Sequence, residues 1–439
     1  MARVTANDPA PEWGGPAAPR GDAPVADVVR AHAHALPDTQ LPAYVHDIDG
    51  LARHAADVST ASAEGASGAA PRVELYYAAK ANPAPEILRA LAPHVHGIEV
   101  ASGGELAHVR GAAPGVPIAF GGPGKTDGEL DAVVATGVHR LHVESEHELR
   151  RAAAFARAHG RAVDVLLRAN PPVDVPGGPA AVPLAMGGRP SPFGMDPDAL
   201  DRCARVAADE PRLRLLGIHA HLASGLDAAA LGLLAEHLLD WAVGWAARNR
   251  LDLRELNVGG GMAVDYHRPE HRFDWRAYGK ALAATAARPN APVLRIEPGR
   301  ALTAYHGWYV TDILDVKHSR GETFAVVRGG THHLRTPAAR GHSQPLAVLP
   351  RDGWPHPWPR PGVRDEPVTF VGQLCTPKDV LAAHVPVPGE VRVGDRVAFA
   401  MAGAYAWNIS HRDFLMHPPP TFHYPTADGT HLEQAGRRT

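Results

Sequence analysis

VELYYAAK, residues 73–80, is an apolar run that closes on a residue able to do chemistry, and the pattern it sets recurs seven times before residue 300. The later runs close on Ser102 (GIEVAS), Gly121 (VPIAFGG), Glu144 (LHVE), Arg168 (VDVLLR), His221 (LLGIHAH), Gly259 (ELNVGG) and Glu297 (VLRIE). Between them lie Ala- and Leu-rich stretches with helical spacing, such as 85–95, 104–111 and 228–249. Strand and helix alternating eight times is the pattern of a (β/α)8 (TIM) barrel. In that fold the C-terminal ends of the strands meet at one face, where active sites are built. Residues far apart in the chain are therefore expected to share one pocket.

Composition bounds the reading further. The 439 residues are 45% hydrophobic and 21% charged, with a formal net charge of -3, which suits an ordinary globular protein. That balance gives no basic footprint for nucleic acid or anionic membrane. No apolar run is long enough to span a bilayer, and the first 24 residues lack the apolar core of a signal peptide, so the expected location is cytoplasmic. Cys203 and Cys375, too few for a disulfide framework, are expected to be reduced thiols. Most of the 27 histidines read as scattered surface composition.

The rhythm divides the chain. Residues 1–40 read as a flexible N-terminal segment, Pro-, Gly- and Ala-rich at its start. The barrel is expected over 47–300. From Ala301 strands follow without long helices, so 301–425 read as a β domain whose sheet the short run 41–46 joins. Residues 350–367 are too proline-rich for a central strand, and 426–439 read as a tail.

Several strand ends carry chemistry. A lysine closing an apolar strand is usually a charge reaching water, but at a barrel mouth desolvation makes Lys80 a candidate nucleophile toward an aldehyde. Gly259, Gly260 and Gly261 after the seventh strand make either a simple tight turn or a phosphate cradle, and the loops after strands seven and eight are the usual phosphate site of this fold. Arg300, in EPGR, adds a guanidinium there. Glu297 is a carboxylate that burial makes costly unless a cation, such as a protonated pyridine nitrogen, meets it. His219 and His221 share one face of the sixth strand and read as core histidines, as a zinc pair lacking further ligands, or as one ring lying on a cofactor with Ser224 near its phosphate. Cys375 falls in the loop-like string GQLCTPKD with Asp379.

Taken together, YYAAKAN, EVASGGEL, VESEHEL, HAHLASG, NVGGG, EPGR, GQLCTPKD and AGAYAW, in that order across residues 41–417, resemble the fold type III decarboxylases that use pyridoxal 5'-phosphate (PLP), the group of diaminopimelate, ornithine and arginine decarboxylases. The resemblance implies an alanine racemase-like barrel with a C-terminal β domain. It implies that Lys80 carries PLP as a Schiff base and that His221 stacks on its ring. Ser224, Gly259, Gly260, Gly261, Arg300 and Tyr405 would hold the phosphate, and Glu297 would meet the pyridine nitrogen. It also implies a homodimer in which Cys375 and Asp379 act on the neighbouring subunit's cofactor. A carboxylate at Glu297, where the related racemases have arginine, points to decarboxylation, with Cys375 as the acid that reprotonates the carbon.

In relatives acting on basic amino acids an acidic residue follows the cysteine; here Thr376 follows it, with Asp379 as a partial substitute. The strings 329–346 and 413–424 resemble a narrower branch, the siderophore-pathway decarboxylases of citrate-conjugated amino acids. There His332, His333, Arg335 and Arg340 would meet citryl carboxylates. The alternatives are diaminopimelate decarboxylase, a non-catalytic PLP carrier and, from His219 and His221 alone, a metal-dependent amidohydrolase. The expected cofactor is PLP, with no metal, and the expected partner is a small-molecule amino acid.

Overall fold

Eight parallel strands, Val73–Ala78, Gly97–Val100, Ile118–Phe120, Arg140–Val143, Val163–Arg168, Leu213–His219, Glu255–Asn257 and Val293–Ile296, close into a barrel in chain order. The last pairs with the first at Leu294↔Val73, which completes the ring. These are the eight runs read from the sequence. The computed structural model describes residues 21–63, 72–176 and 184–426, and the chain divides into a barrel unit (Asp49–Val264 and Arg272–Thr303) and a β unit (the described parts of 1–48 and 304–439, with Asp265–His271).

In the barrel unit the helices start where the strand ends supply caps. Ser102 Oγ accepts from Glu105 N (3.1 Å) and Ser145 Oγ from Glu148 N (3.1 Å), while Thr126 and Glu129 form a reciprocal capping box. Ser102, one of the run-closing residues, is thus a helix cap. At the N-terminal ends of the strands, Arg295 is wholly buried. It meets Glu74 (3.0 Å from Nε) and Glu255 (3.1 Å from Nη2) and lies 4.4 Å over the Tyr76 ring. Arg140 joins through Glu255 (2.7 Å) and Asp164 (3.1 Å). Charges this deep are tolerable only because each meets an opposite one. The network closes the floor and leaves the C-terminal face for chemistry.

In the β unit the long strand Gly307–Ser319 organises the sheet. It pairs antiparallel with Arg396–Phe399 on one side and Ala43–His46 on the other, and its far half pairs with Glu322–Val327. Ala43–His46 lies in this sheet in the register Tyr44↔Tyr309. Tyr44, Tyr309, Phe370 and Phe399 lie in its buried core. Leu346–Leu349 and Val380–Pro386 are further strands that the sequence reading did not separate from loops. Within the segment expected to be flexible, Asp27–Ala35 is a helix, and the Arg396 guanidinium donates to the carbonyls of Ala33 and Leu36 beyond it. Residues 1–20 and the tail 427–439 lie outside the described residues. Among the described residues no helix is long and apolar enough to cross a membrane.

Candidate active site

The C-terminal ends of barrel strands one, two, four, six, seven and eight bring one constellation together. Lys80 follows the first strand in a short 3-10 turn, Ala79–Ala81, and its Nζ donates to Glu99 Oε2 (3.0 Å) and Oε1 (3.3 Å) on the second strand. Lys80 remains about half exposed, while Glu99 is buried. The carboxylate holds the ammonium at the mouth and aims it.

Glu297 ends the eighth strand, buried. Asn257 Nδ2 donates to its Oε1 (2.7 Å), and no Lys or Arg among the described residues forms an ion pair with it. Burial first, and then the Glu99 carboxylate, pushes its pKa up to about 7 against the Asn257 hydrogen bond and the Lys80 charge. This is a carboxylate waiting for a positive partner. Nearby cations are already engaged: Lys80 by Glu99, Arg168 by Glu144 (2.8 Å), and Arg295 by the floor.

His221 follows the sixth strand. Its Nδ1 accepts from Gly260 N–H (3.1 Å), which leaves its proton on Nε2, 3.4 Å from Ser224 Oγ. Burial first, then the charges of Lys80 and Arg168, bring its pKa down to about 3, so the ring is neutral and fixed in orientation. The glycine loop needs its glycines. A Cβ on Gly259 would run into the His221 ring, on Gly260 into Glu297 O, and on Gly261 into Ala223 O, and Gly259 and Gly261 have φ of 76° and 97°. The loop backbone therefore lies directly against the ends of the sixth and eighth strands, with Ser224 beside it.

Of the barrel residues expected from sequence, Lys80, His221, Ser224, Gly259, Gly260, Gly261, Glu297 and Arg300 all sit at or just beyond strand ends on this face. Three others were missed: Glu99, His142 and Asn257. Glu99 and His142 are polar residues within short buried strands (GIEV, RLHV) and Asn257 closes another (ELN), and a buried polar residue facing the strand ends was the available signal.

The other expected residues belong to the β unit. Cys375 is exposed, with Thr376 N bonded back to Leu374 O (2.8 Å). Tyr405 is half-buried at a φ of 48°, and its carbonyl accepts from Thr336 Oγ1. Asp379 differs from its expected substrate role. Its Oδ1 accepts from Thr331 N (2.6 Å) and Oγ1 (2.8 Å), its Oδ2 from Leu374 N (2.8 Å), and it is 2% exposed. The carboxylate is spent on holding the cysteine loop to Thr331. His333 is likewise committed, to Tyr309 Oη (3.0 Å) and Pro418 O (3.1 Å). His332 is fully buried, its ring 3.9 Å from that of His333 and 5.1 Å from that of His417. Arg335 is exposed.

A lysine at a barrel mouth, a glycine loop built for close backbone approach, a fixed neutral imidazole and a buried carboxylate in need of a cation define a barrel enzyme for a phosphorylated, aldehyde-bearing, protonatable ring. PLP fits each of these demands: Lys80 for its aldehyde, Ser224, Arg300 and the glycine loop for its phosphate, and Glu297 for its ring nitrogen.

Comparison with known proteins agrees. Residues 58–304 match the family described as "Pyridoxal-dependent decarboxylase, pyridoxal binding domain". The chain is 35% identical to the 2-[(L-alanin-3-ylcarbamoyl)methyl]-2-hydroxybutanedioate decarboxylase of Staphylococcus aureus, covering 92% of this chain and 97% of that one. It is 34% identical to a diaminopimelate decarboxylase of Actinosynnema pretiosum over 80% of this chain and 78% of the relative. The solved diaminopimelate decarboxylase of M. jannaschii shares the fold, with a TM-score of 0.78, 22% identity and 92% of each chain covered. The chain belongs to the pyridoxal-dependent decarboxylases, and its cofactor is PLP.

Proposed function

We propose that this enzyme removes CO2 from a citrate-conjugated diamino acid in siderophore biosynthesis, acting as a cytoplasmic homodimer. The carrying observation is the near end-to-end similarity to the Staphylococcus aureus enzyme, whose name describes a citrate unit amide-linked to the side-chain nitrogen of a diaminopropionate. The cysteine loop supports it. Thr376 replaces the acidic neighbour that a free distal ammonium would need, and the carboxylate of Asp379 is occupied by backbone and hydroxyl donors. An amide nitrogen carries no charge and makes no such demand, whereas a buried ammonium without a carboxylate would cost several kcal/mol.

Bound PLP supplies the ring that delocalises the electron pair left when CO2 departs. Lys80 holds the cofactor and is steered by Glu99. Glu297 keeps the proton on the ring nitrogen, and its Oε1 is oriented by Asn257. His221, neutral and tied to Gly260 and Ser224, packs against the ring without competing for that proton. Cys375 from a second copy of the chain delivers a proton to the carbon that lost CO2. Arg335, exposed on the 329–346 loop, is the candidate for the citryl carboxylates.

The test is CO2 release from citryl-diaminopropionate, diaminopimelate, lysine and ornithine by one preparation. The expected order puts the citryl conjugate first, with Arg335→Ala raising KM for that substrate alone. Highest catalytic efficiency on diaminopimelate, with negligible turnover of the conjugate, would replace this reading with the lysine-pathway one.

A further inference from the structure

Two histidines in the barrel interior have no role in the chemistry above. His142, on the fourth strand, is wholly buried, and His219, on the sixth, is 5% exposed. Their rings lie 4.3 Å apart, and all four ring nitrogens lack a hydrogen-bond partner among the described residues. A buried neutral imidazole carries one donor and one acceptor, and leaving both unmet is costly. Two side by side in that condition call for a ligand.

Both face Glu297. His219 Nε2 is 3.6 Å from Glu297 Oε2, and His142 Nε2 is 3.9 Å from Oε1. The candidate ligand atoms of the three residues lie within 4.8 Å of one another. We propose that His142, His219 and Glu297 form a site for one divalent transition-metal ion in the cofactor-free protein, and that binding of the cofactor closes this site.

Two ligand atoms held about 2.1 Å from a tetrahedral ion stand about 3.4 Å apart, so the two histidine–carboxylate separations need contract by about 0.2 and about 0.5 Å, and the widest pair of the three, within 4.8 Å, by up to about 1.4 Å. Two imidazoles and one carboxylate suit zinc, cobalt, nickel or copper, with solvent as the remaining ligand; magnesium and calcium prefer all-oxygen sets. Asn257 supplies the outer support by fixing the carboxylate through Oε1 (2.7 Å). Glu297 also has charge to give, since the neighbouring Lys80, Arg168 and Arg295 are each paired with other carboxylates.

Exclusion follows because Glu297 serves both ligands, a step that rests on its proposed role as partner of the cofactor's ring nitrogen. One carboxylate cannot neutralise a metal ion and a protonated ring together, so each occupant weakens the other by the same factor.

The experiment compares one preparation in two states, stripped of PLP and reconstituted with it, titrated with Co(II) and followed by its visible d–d absorption and by competition with Zn(II). The stripped protein is expected to bind one equivalent that the reconstituted protein does not. His142→Phe and His219→Phe, which keep a ring but lose the nitrogens, should each weaken Co(II) at least tenfold while still taking up PLP. Surface histidines would bind in both states, so equal Co(II) uptake by the two forms overturns the proposal. It is also overturned by a stripped protein that takes up no metal, or by Phe variants that bind as the parent does. PLP uptake is read from the cofactor's own absorption. A protein that binds Co(II) through these histidines yet takes up no PLP would count against the functional reading and the exclusion, not the metal site. If neither Phe variant folds, the difference between the two forms of the parent protein still decides.

Discussion

Glu297 and Asp379 are both buried carboxylates, yet their surroundings give them opposite work. Asp379 has its oxygens filled by Thr331 and Leu374, so it is finished as a structural tie. Glu297 has one amide donor and an elevated pKa, so it is unfinished until a cation arrives. Glu297→Gln keeps the shape and the Asn257 contact but cannot hold a proton on a ring nitrogen. It is expected to lower kcat by several orders of magnitude while PLP affinity falls much less. Steady-state kinetics beside a PLP titration check this, and each tenfold loss corresponds to about 1.4 kcal/mol of transition-state stabilisation. Asp379→Ala should do the reverse. It strands the N–H groups of Thr331 and Leu374, costs about 1–3 kcal/mol for each in urea unfolding, and leaves the order of substrate preference unchanged. The sequence showed that Asp379 accompanies Cys375; it could not show that the side chain turns inward, because that depends on Thr331 lying opposite.

At the scale of elements, strand ends were legible and strand interiors were not. Lys80, His221, the glycines and Glu297 close apolar runs, so the eightfold rhythm alone gathers them on one face. Glu99 and His142 sit within the strands and Asn257 hides at the end of a three-residue one, and only the closed ring shows that Glu99 lies beside Lys80 and His142 beside His219. The floor was equally hidden, since Arg295, Glu74, Glu255 and Arg140 come from four separate strands. Burial raises the pKa of Glu255, but the Arg140 hydrogen bond and the Arg295 charge outweigh it, so Glu255 titrates below the usual carboxylate range. A carboxyl depressed on folding contributes stability that is whole above its unfolded value, near 4.5, and is lost as pH falls through the folded one. Arg295→Met should destabilise the barrel by about 3–5 kcal/mol in urea at neutral pH, because Glu74 and Glu255 lose a buried counter-charge. The loss should shrink as pH falls through the depressed titration of Glu255, where that carboxyl takes up a proton.

For the whole molecule, the two halves of the chemistry are encoded far apart, with Lys80 in the barrel unit and Cys375 in the β unit. If Cys375 serves a second copy, Lys80→Ala and Cys375→Ala are each nearly inactive alone, and mixing them under subunit exchange restores activity through hybrids that own one intact site. No recovery despite proven exchange would return Cys375 to its own chain's site or remove it from catalysis. The β unit also predicts an acid limit. Burial, the largest cause in each case, brings His46 and His332 to about 4 and His333 to about 3. Between pH 6.5 and 4 the unfolded chain gains protons there that the folded chain refuses, so stability falls as pH falls, by up to about 1.4 kcal/mol per pH unit for each histidine. His332→Phe should flatten that slope in denaturant unfolding measured across this window.

The β unit is stitched from stretches on both sides of the barrel, with Ala43–His46 paired to Gly307–Ser319 and Arg396 reaching back to Ala33 and Leu36. A ribosome therefore releases the first strand long before its partners exist. The barrel's eight strands, nearly all neighbours in order of synthesis, can close while that strand waits outside with its backbone unpaired. Translation order makes the early strand the vulnerable part of the newborn chain, an open edge for other polypeptides until the second half of the message has been read.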